Sequence, residues 1–125
     1  MATFLMDTCA LIWENSDPEK LSKRARRMIE DDASRVFVSH ATLWEMSIKV
    51  TVGKLHVGES FFEQLEGLGY EILPMAEVHF SVYRQLPLIH RDPFDRLLVA
   101  QAISEKIPLM TCDEEIVKYP LQTLW

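Results

Sequence analysis

The sequence predicts an α/β domain, with a central, mainly parallel sheet of about five strands and helices on both faces. Short apolar runs of strand length alternate with helical segments, and strands separated by helices favour parallel pairing. Of the 125 residues, 48% are hydrophobic, which is enough to build a buried core. No low-complexity tract, repeat or linker interrupts this pattern, so we expect one domain over residues 1–125.

The first half of the chain contains two predicted strands with helices between and after them. Asp17 followed by Pro18 is typical of a helix start, because it places a capping acid before a proline at the first helical position. Ser39 can cap another helix, and Gly53 stands where a helix often stops. The expected elements are a strand over 3–6, a short helical stretch, a helix over 18–31, a strand over 36–38 and a helix to about Val52.

The second half continues the same alternation. Asp92 and Pro93 again pair a capping acid with a proline, and they predict a helix that runs to about Lys106. A short helical turn is expected from Asp113. The other expected elements are a helix over 61–68, a strand over 70–73, a helix over 75–86, and strands over 109–111 and 121–124.

Charge and composition exclude several classes of protein. The net charge of −6 argues against a sequence-independent DNA binder with a basic surface. No apolar run approaches the ~20 residues that span a bilayer, and the first residues lack the basic region of a signal peptide. Cys9 and Cys112 do not form a disulfide framework. We expect both to be small buried packing residues, and the protein to be cytoplasmic.

Four carboxylates occupy positions where a charged side chain is energetically costly unless it has a partner. Asp7 directly follows the first predicted strand, and Asp113 lies just past the fourth. Glu45 lies in the middle of a helix that leaves little surface for solvent. Asp95 shares an apolar face of its own helix, while Asp92 has the stronger claim to cap that helix.

Each acid also has an ordinary structural explanation. Asp7 and Asp113 could cap the helical segments that follow them. Glu45 could pair with Lys49 one helical turn away, which contributes only a few tenths of a kcal/mol. Asp95 could simply interact with the positive end of its helix. These alternatives remain open for each residue taken alone.

Taken together, the four acids favour a metal site. A parallel sheet would bring them to one edge, where clustered carboxylates repel one another in a low dielectric. Oxygen-only ligands suit Mg²⁺ or Mn²⁺ rather than zinc. Such ions polarise a phosphate and lower the pKa of a water molecule. The cluster therefore indicates the chemistry of phosphodiester hydrolysis.

Four segments together resemble a PIN-domain ribonuclease, specifically the VapC-type toxin of bacterial toxin–antitoxin pairs. They cover nearly the whole chain in the family's order, and the third is the most specific. They are residues 4–13 (FLMDTCALIW), 38–49 (VSHATLWEMSIK), 90–102 (HRDPFDRLLVAQA) and 109–113 (LMTCD). The resemblance implies a three-layer PIN-like fold and a Mg²⁺-dependent (or Mn²⁺-dependent) endoribonuclease.

The resemblance also implies roles for particular residues. Asp7 and Asp95 would be the most direct metal ligands, and Glu45 and Asp113 would complete the catalytic quartet. Thr8 and Thr111 would be supporting hydroxyls. The implied partners are an RNA substrate, a cognate antitoxin protein and a second copy of the chain. No association with a membrane is expected.

Basic residues near these segments are candidates for contact with RNA. Arg91 and Arg96 flank Asp92 and Asp95 and are the better candidates for substrate contact. His90 could carry a proton, or it could be incidental. A further basic face of the predicted helix over 18–31 is either a phosphate-binding or a solvated surface; it comprises Lys20, Lys23, Arg24 and Arg27.

Rival enzymes of similar topology fit the sequence less well. A receiver domain would need a pair of carboxylates after the first strand, where Asp7 stands alone. A phosphatase of the haloacid-dehalogenase type would need an acid two residues after Asp7, where the chain has Cys9. The remaining alternative is a non-catalytic interaction module with a PIN-like fold.

Overall fold

The centre of the protein is a five-stranded sheet in which every neighbouring pair is parallel, as a computed structural model that describes residues 2–125 shows. The strands are β1 (Thr3–Met6), β2 (Arg35–Ser39), β3 (Tyr70–Leu73), β4 (Leu109–Met110) and β5 (Thr123–Leu124). Their order across the sheet is β3-β2-β1-β4-β5. The first strand of the chain is therefore the middle strand, and the predicted parallel α/β architecture is confirmed.

Within residues 2–125, six α-helices connect and cover the strands. They are α1 (Thr8–Ser16), α2 (Lys23–Glu30), α3 (His40–Thr51), α4 (Phe61–Gln64), α5 (Glu77–Gln85) and α6 (Pro93–Glu105). Side chains alternate across β1, so that Phe4 and Met6 join one apolar cluster and Leu5 joins another. The first cluster includes residues of α1 and α2, and the second is rich in residues of α6. These two cores on opposite faces make three layers.

The predicted helix over residues 18–31 is wrong, because the structure divides it. Pro18–Lys20 form a 3₁₀ turn, Leu21 is extended, and α2 starts only after Ser22. The reason is a second cap: the Ser22 hydroxyl accepts a hydrogen bond from the Ala25 N–H at 2.9 Å. Lys20 therefore lies outside the helix and pairs with Asp17 at 3.0 Å. The predicted four-residue basic face does not exist as one helical face.

Other elements are shorter than the sequence indicated. The predicted helix over 61–68 is α4 followed by a 3₁₀ turn over Glu66–Leu68, because Gly67 disfavours a continuous helix and Gly69 adopts a left-handed φ of 98°. The last strand covers only Thr123–Leu124. None of the helices in residues 2–125 combines the length and apolar character needed to cross a membrane.

Candidate functional site

Two of the four acids lie at the carboxyl edge of the sheet, on neighbouring central strands. Asp7 follows β1, and its backbone N–H donates to the Met110 carbonyl of β4 at 3.1 Å. The Asp7 side chain also caps α1 by accepting the Ala10 N–H at 2.8 Å. Asp113 follows β4 and accepts the N–H groups of Glu115 and Ile116 at 2.7 and 3.2 Å. Both acids therefore have a capping role, whatever further role they have.

The other two acids come from helices that start at the same edge. Asp95 lies in the first turn of α6, which Asp92 caps by accepting the N–H groups of Phe94 and Asp95. Glu45 lies on α3 with only 13% of its side chain exposed, and its Oε2 is 3.3 Å from Lys49 Nζ. Its Oε1 is buried and has no hydrogen-bond partner among the described residues. The ion pair with Lys49 thus satisfies only half of the carboxylate.

The pKa values of Asp7 and Asp95 report the electrostatic strain of this arrangement. Burial raises the pKa of Asp7 to about 6; it outweighs the hydrogen bonds from Thr111 and the Ala10 N–H, which lower the pKa, and the charges of Asp113 and Glu45 raise it further. Burial, followed by the charges of Asp92 and Glu45, raises the pKa of Asp95 to about 7. The acids are close enough to perturb one another, and no nearby cation of the described chain neutralises them fully.

The two threonines contribute differently to the edge. The Thr8 hydroxyl forms a buried hydrogen bond with the Thr42 hydroxyl at 3.1 Å, which joins α1 to α3. The Thr111 hydroxyl accepts the Asp113 N–H at 3.0 Å and so shapes the turn after β4. Thr111 therefore supports an acid directly, whereas Thr8 holds together the helices that follow Asp7 and carry Glu45.

His90 is part of this cluster. The sequence alone left open whether His90 takes part in the site. Its Nε2 lies 3.1 Å from Asp113 Oδ2 and 3.2 Å from Asp95 Oδ2. Burial opposes ionisation of Asp113, but hydrogen bonds from His90 and from backbone N–H groups lower its pKa overall. The available signal was the position of His90, immediately before the capped start of α6. A histidine in a loop is common enough that this position alone carried little weight.

The two arginines that flank the acids have different environments. Arg91 is exposed and adjoins the cluster in sequence. Arg96 is only 7% exposed, and its guanidinium donates to the Pro87 carbonyl and the Tyr119 hydroxyl, while it also lies over the Tyr83 ring. With its donors committed inside the protein, Arg96 has a structural role rather than the expected substrate contact. Arg91 remains a candidate for that contact.

Replacing Arg96 by Ala should therefore destabilise the fold. The change removes the buried guanidinium, its hydrogen bonds to the Pro87 carbonyl and the Tyr119 hydroxyl, and its packing over Tyr83, and we expect a loss of about 3 kcal/mol in the free energy of unfolding. Urea denaturation of the purified variant measures this loss. Arg91→Ala is the matched control, with an expected change within about 0.5 kcal/mol because its side chain is exposed. Equal stability of the two variants would contradict the structural role.

The prediction that Cys9 and Cys112 are buried packing residues is wrong. Both are free cysteines and exposed; Cys9 lies in the first turn of α1, and Cys112 lies in the segment after β4. Partial burial, followed by the charges of Asp7 and Asp95, raises the pKa of the Cys9 thiol to about 11. Cys9 therefore lies beside the acids as a neutral thiol.

Part of the acidic cluster lies near the surface, whereas Asp7 is buried. A cavity of about 420 Å³ lies elsewhere, between α1, the segment before β2, and α4, where Leu11, Glu14 and Phe61 line it. At the cluster, the side chains of His90, Asp95 and Asp113 are 16%, 20% and 33% exposed. This open geometry suits a chain-like substrate that passes over the edge of the sheet better than a small enclosed molecule.

The protein has a parallel three-layer α/β fold, and carboxylates converge at one edge of its sheet. Known proteins share this combination of fold and site. The chain matches the PIN domain over residues 4–121 and belongs to this family, whose members are generally nucleases. No curated protein sequence matches the chain.

Solved structures share the fold across almost the entire chain. VapBC2 from Rickettsia felis, bound to a promoter DNA fragment, matches with a TM-score of 0.73 and 17% identity, covering 98% of this chain and 97% of that chain. DNA-bound VapBC from Salmonella typhimurium matches with a TM-score of 0.71 and 20% identity, covering 99% of this chain and 98% of that chain. FitAcB from Neisseria gonorrhoeae matches with a TM-score of 0.64 and 21% identity, covering 98% of this chain and 96% of that chain. At sequence identities of 17–21%, these matches show a shared fold and nothing more.

Proposed function

We propose that this protein is a Mg²⁺-dependent endoribonuclease of the VapC type, the toxin of a toxin–antitoxin pair. The observation that carries the proposal is the electrostatic state of the cluster. Asp7 and Asp95 have pKa values raised to about 6 and 7, and Glu45 Oε1 is buried without a partner. Buried carboxylates in this state require a compensating positive charge.

A hard divalent cation fits the residues that are present. The acids offer oxygen ligands, which suit Mg²⁺ or Mn²⁺, and Glu45 Oε1 is an acceptor that the protein itself leaves unused. Asp7 and Asp95 would hold the ion most directly, with Glu45 and Asp113 completing the set. When bound, the ion polarises a phosphate and lowers the pKa of water, the chemistry of phosphodiester hydrolysis.

The chain's other residues would prepare the site and the substrate. Capping of α1 and of the turn after β4 fixes the backbones of Asp7 and Asp113 before any ion binds. Thr8 and Thr111 support these segments through their hydroxyls. Arg91, which is exposed and adjoins His90 in sequence, would contact a phosphate of the RNA.

The direct test is cleavage of RNA by the purified protein. A mixture of structured and unstructured RNAs should be cut at internal positions in Mg²⁺ or Mn²⁺ and left intact in a chelator, and single-stranded DNA of matched sequence should be cut more slowly. Absence of metal-dependent cleavage from every RNA would favour the non-catalytic interaction module. A cytoplasmic location, where RNA substrates and reduced cysteines coexist, belongs to the same proposal.

A cognate antitoxin is the proposed protein partner. The similar solved structures are VapBC complexes and FitAcB, and two of the VapBC complexes are bound to DNA. We expect the neighbouring open reading frame to encode a small DNA-binding protein with a polar tail. Co-expression of that protein should abolish the RNA cleavage and yield a stable complex.

An exposed apolar stripe on α3 supports the proposed homodimer. Trp44 and Ile48 on α3 and Val52, which caps its C-terminus, recur four residues apart and are 56%, 42% and 59% exposed. The Trp44 ring also packs edge-to-face on Phe94 at 5.1 Å, which extends the surface to the start of α6. An apolar patch of this kind is typical of an association surface, and we propose that a second copy covers it.

The variant Trp44→Lys combined with Ile48→Lys should abolish dimer formation. Charged side chains in the middle of an apolar interface would be desolvated without partners, so we expect a shift from dimer to monomer in sedimentation velocity. Leu68→Lys, which charges an exposed apolar residue on another element, is the matched control and should remain dimeric. A wild-type protein that sediments as a monomer, or a double variant that stays dimeric, would contradict the proposal.

A further inference from the structure

The His90 backbone is fixed independently of its imidazole ring. The residue lies in the loop between α5 and α6, and its backbone N–H donates to the Tyr119 hydroxyl at 2.8 Å. Tyr119 is only 3% exposed, and the same hydroxyl accepts a hydrogen bond from Arg96. The buried tyrosine thus anchors the loop to α6, and the His90 ring extends from this anchor toward the acids.

The contacts of the ring determine which nitrogen carries the proton. His90 Nδ1 lies 3.0 Å from the backbone nitrogen of Asp92, whose N–H can only donate. Nδ1 must therefore be the unprotonated acceptor, and the proton of the neutral imidazole is on Nε2. Nε2 in turn lies 3.1 Å from Asp113 Oδ2, which accepts its N–H, and 3.2 Å from Asp95 Oδ2.

A metal-ligand role for His90 is the obvious alternative. One ligand atom each from His90, Asp95 and Asp113 lies within 4.8 Å of the others, which is compatible with a three-ligand metal site. However, Nε2 could bind a metal only after transfer of the ring proton to Nδ1. The Nδ1–H would then point at the Asp92 N–H, so that two donors would face each other. The backbone of the α6 cap therefore disfavours ligation.

We propose that His90 is a positioning residue, which holds the carboxylates of Asp95 and Asp113 together through a fixed Nε2–H and remains a donor when a divalent cation binds. The inference rests on the proposed function only for the loaded state. A neutral N–H at this place reduces the repulsion between the two acids and orients them in the metal-free protein.

His79 provides an internal precedent for this arrangement. Its Nδ1 accepts the Ala76 N–H at 3.1 Å, and its Nε2 lies 2.9 Å from Glu105 Oε2. The same tautomer therefore joins α5 to α6 at a buried position that the acidic cluster does not include. Because His79 shares the tautomer and lacks the neighbouring cluster, its resonances serve as a reference for those of His90.

Imidazole ¹⁵N NMR tests the proposal directly. In ¹⁵N-labelled protein, with the His90 signals assigned by their loss in His90→Gln, we expect an unprotonated Nδ1 and a one-bond N–H coupling at Nε2. Both should persist at saturating Mg²⁺, with His79 unchanged. A proton on Nδ1, averaging of the two tautomers, or loss of the Nε2 proton upon Mg²⁺ binding would overturn it. Absence of any Mg²⁺-induced shift would count against the proposed function, and the metal-free spectra would still decide the tautomer.

Metal affinity separates positioning from ligation. His90→Ala removes the donor, and we expect about tenfold weaker Mn²⁺ binding in isothermal titration calorimetry. His90→Gln retains an amide N–H near the Nε2 position and should recover most of the affinity. Equal losses in both variants would indicate a lost ligand and overturn the proposal. Thermal unfolding of each variant establishes that the comparison is made on folded protein.

Discussion

Replacing Asp7 or Asp95 by Asn is expected to lower Mg²⁺-dependent RNA cleavage more than about 100-fold, while the protein remains folded. Loss of a residue that only orients a metal ligand commonly costs about 10- to 100-fold, and these two acids are the proposed ligands themselves. Asn keeps the shape of the side chain and the acceptor oxygen that caps α1 at position 7. Cleavage rates at saturating Mg²⁺ measure the effect.

Glu14→Gln is the matched control for these variants. Glu14 is another carboxylate on α1 with an oxygen buried without a partner in the described structure, and burial raises its pKa. It lines the cavity away from the acidic cluster. We expect its amide variant to retain cleavage activity. Full activity of Asp7→Asn or Asp95→Asn, or equal inactivation by Glu14→Gln, would contradict the assignment of the metal ligands.

The metal-free protein is expected to lose stability as the pH rises from about 4 to about 7. The folded state raises the pKa of Asp7 to about 6 and of Asp95 to about 7, from an ordinary value of 3.8. Within that window the folded protein binds more protons than the unfolded chain, so its stability falls as those protons leave. For the well-buried Asp7 alone, the loss is on the order of 2–3 kcal/mol.

Urea denaturation at a series of pH values in a chelator measures this dependence. Asp7→Asn should make the metal-free protein more stable at pH 8 than the wild type, because it removes a buried charge and keeps the cap. Glu63→Gln, on the exposed surface of α4, is the matched control and should change little. Addition of Mn²⁺ at pH 8 should stabilise the wild type and have less effect on Asp7→Asn. If the free energy of unfolding of the metal-free wild type did not change between pH 4 and pH 8, this result would exclude the proposed repulsion and burial of the acids.

Much of the fold was predictable because its signals are local. Asp92 with Pro93 placed the start of α6, and Ser39 placed the start of α3, since each capping side chain acts on backbone within three residues. The helix over 18–31 failed for the same local reason, because Ser22 offered a second cap after Pro18. A periodic apolar pattern cannot show which of two competing caps prevails.

The candidate site was predictable only in part. Asp7 and Asp113 follow strands, and the parallel-sheet rule alone places them at one edge. The rule does not report the direction of a side chain. Burial of Arg96 under Tyr83 and Tyr119, and the approach of His90 to Asp113, depend on contacts between segments that are distant in sequence. Such contacts leave no periodic signal in a single sequence.

The central place of β1 determines when the site can form during synthesis. β1 pairs with β2 on one side and with β4 on the other, where Leu5 is opposite Leu109. The pairing of β1 with β4 thus closes a loop that spans most of the chain, which makes it a late and slow step in folding. Asp113 reaches Asp7 only after this step. A ribosome that translates this protein must therefore have passed Asp113 before the proposed nuclease centre could exist.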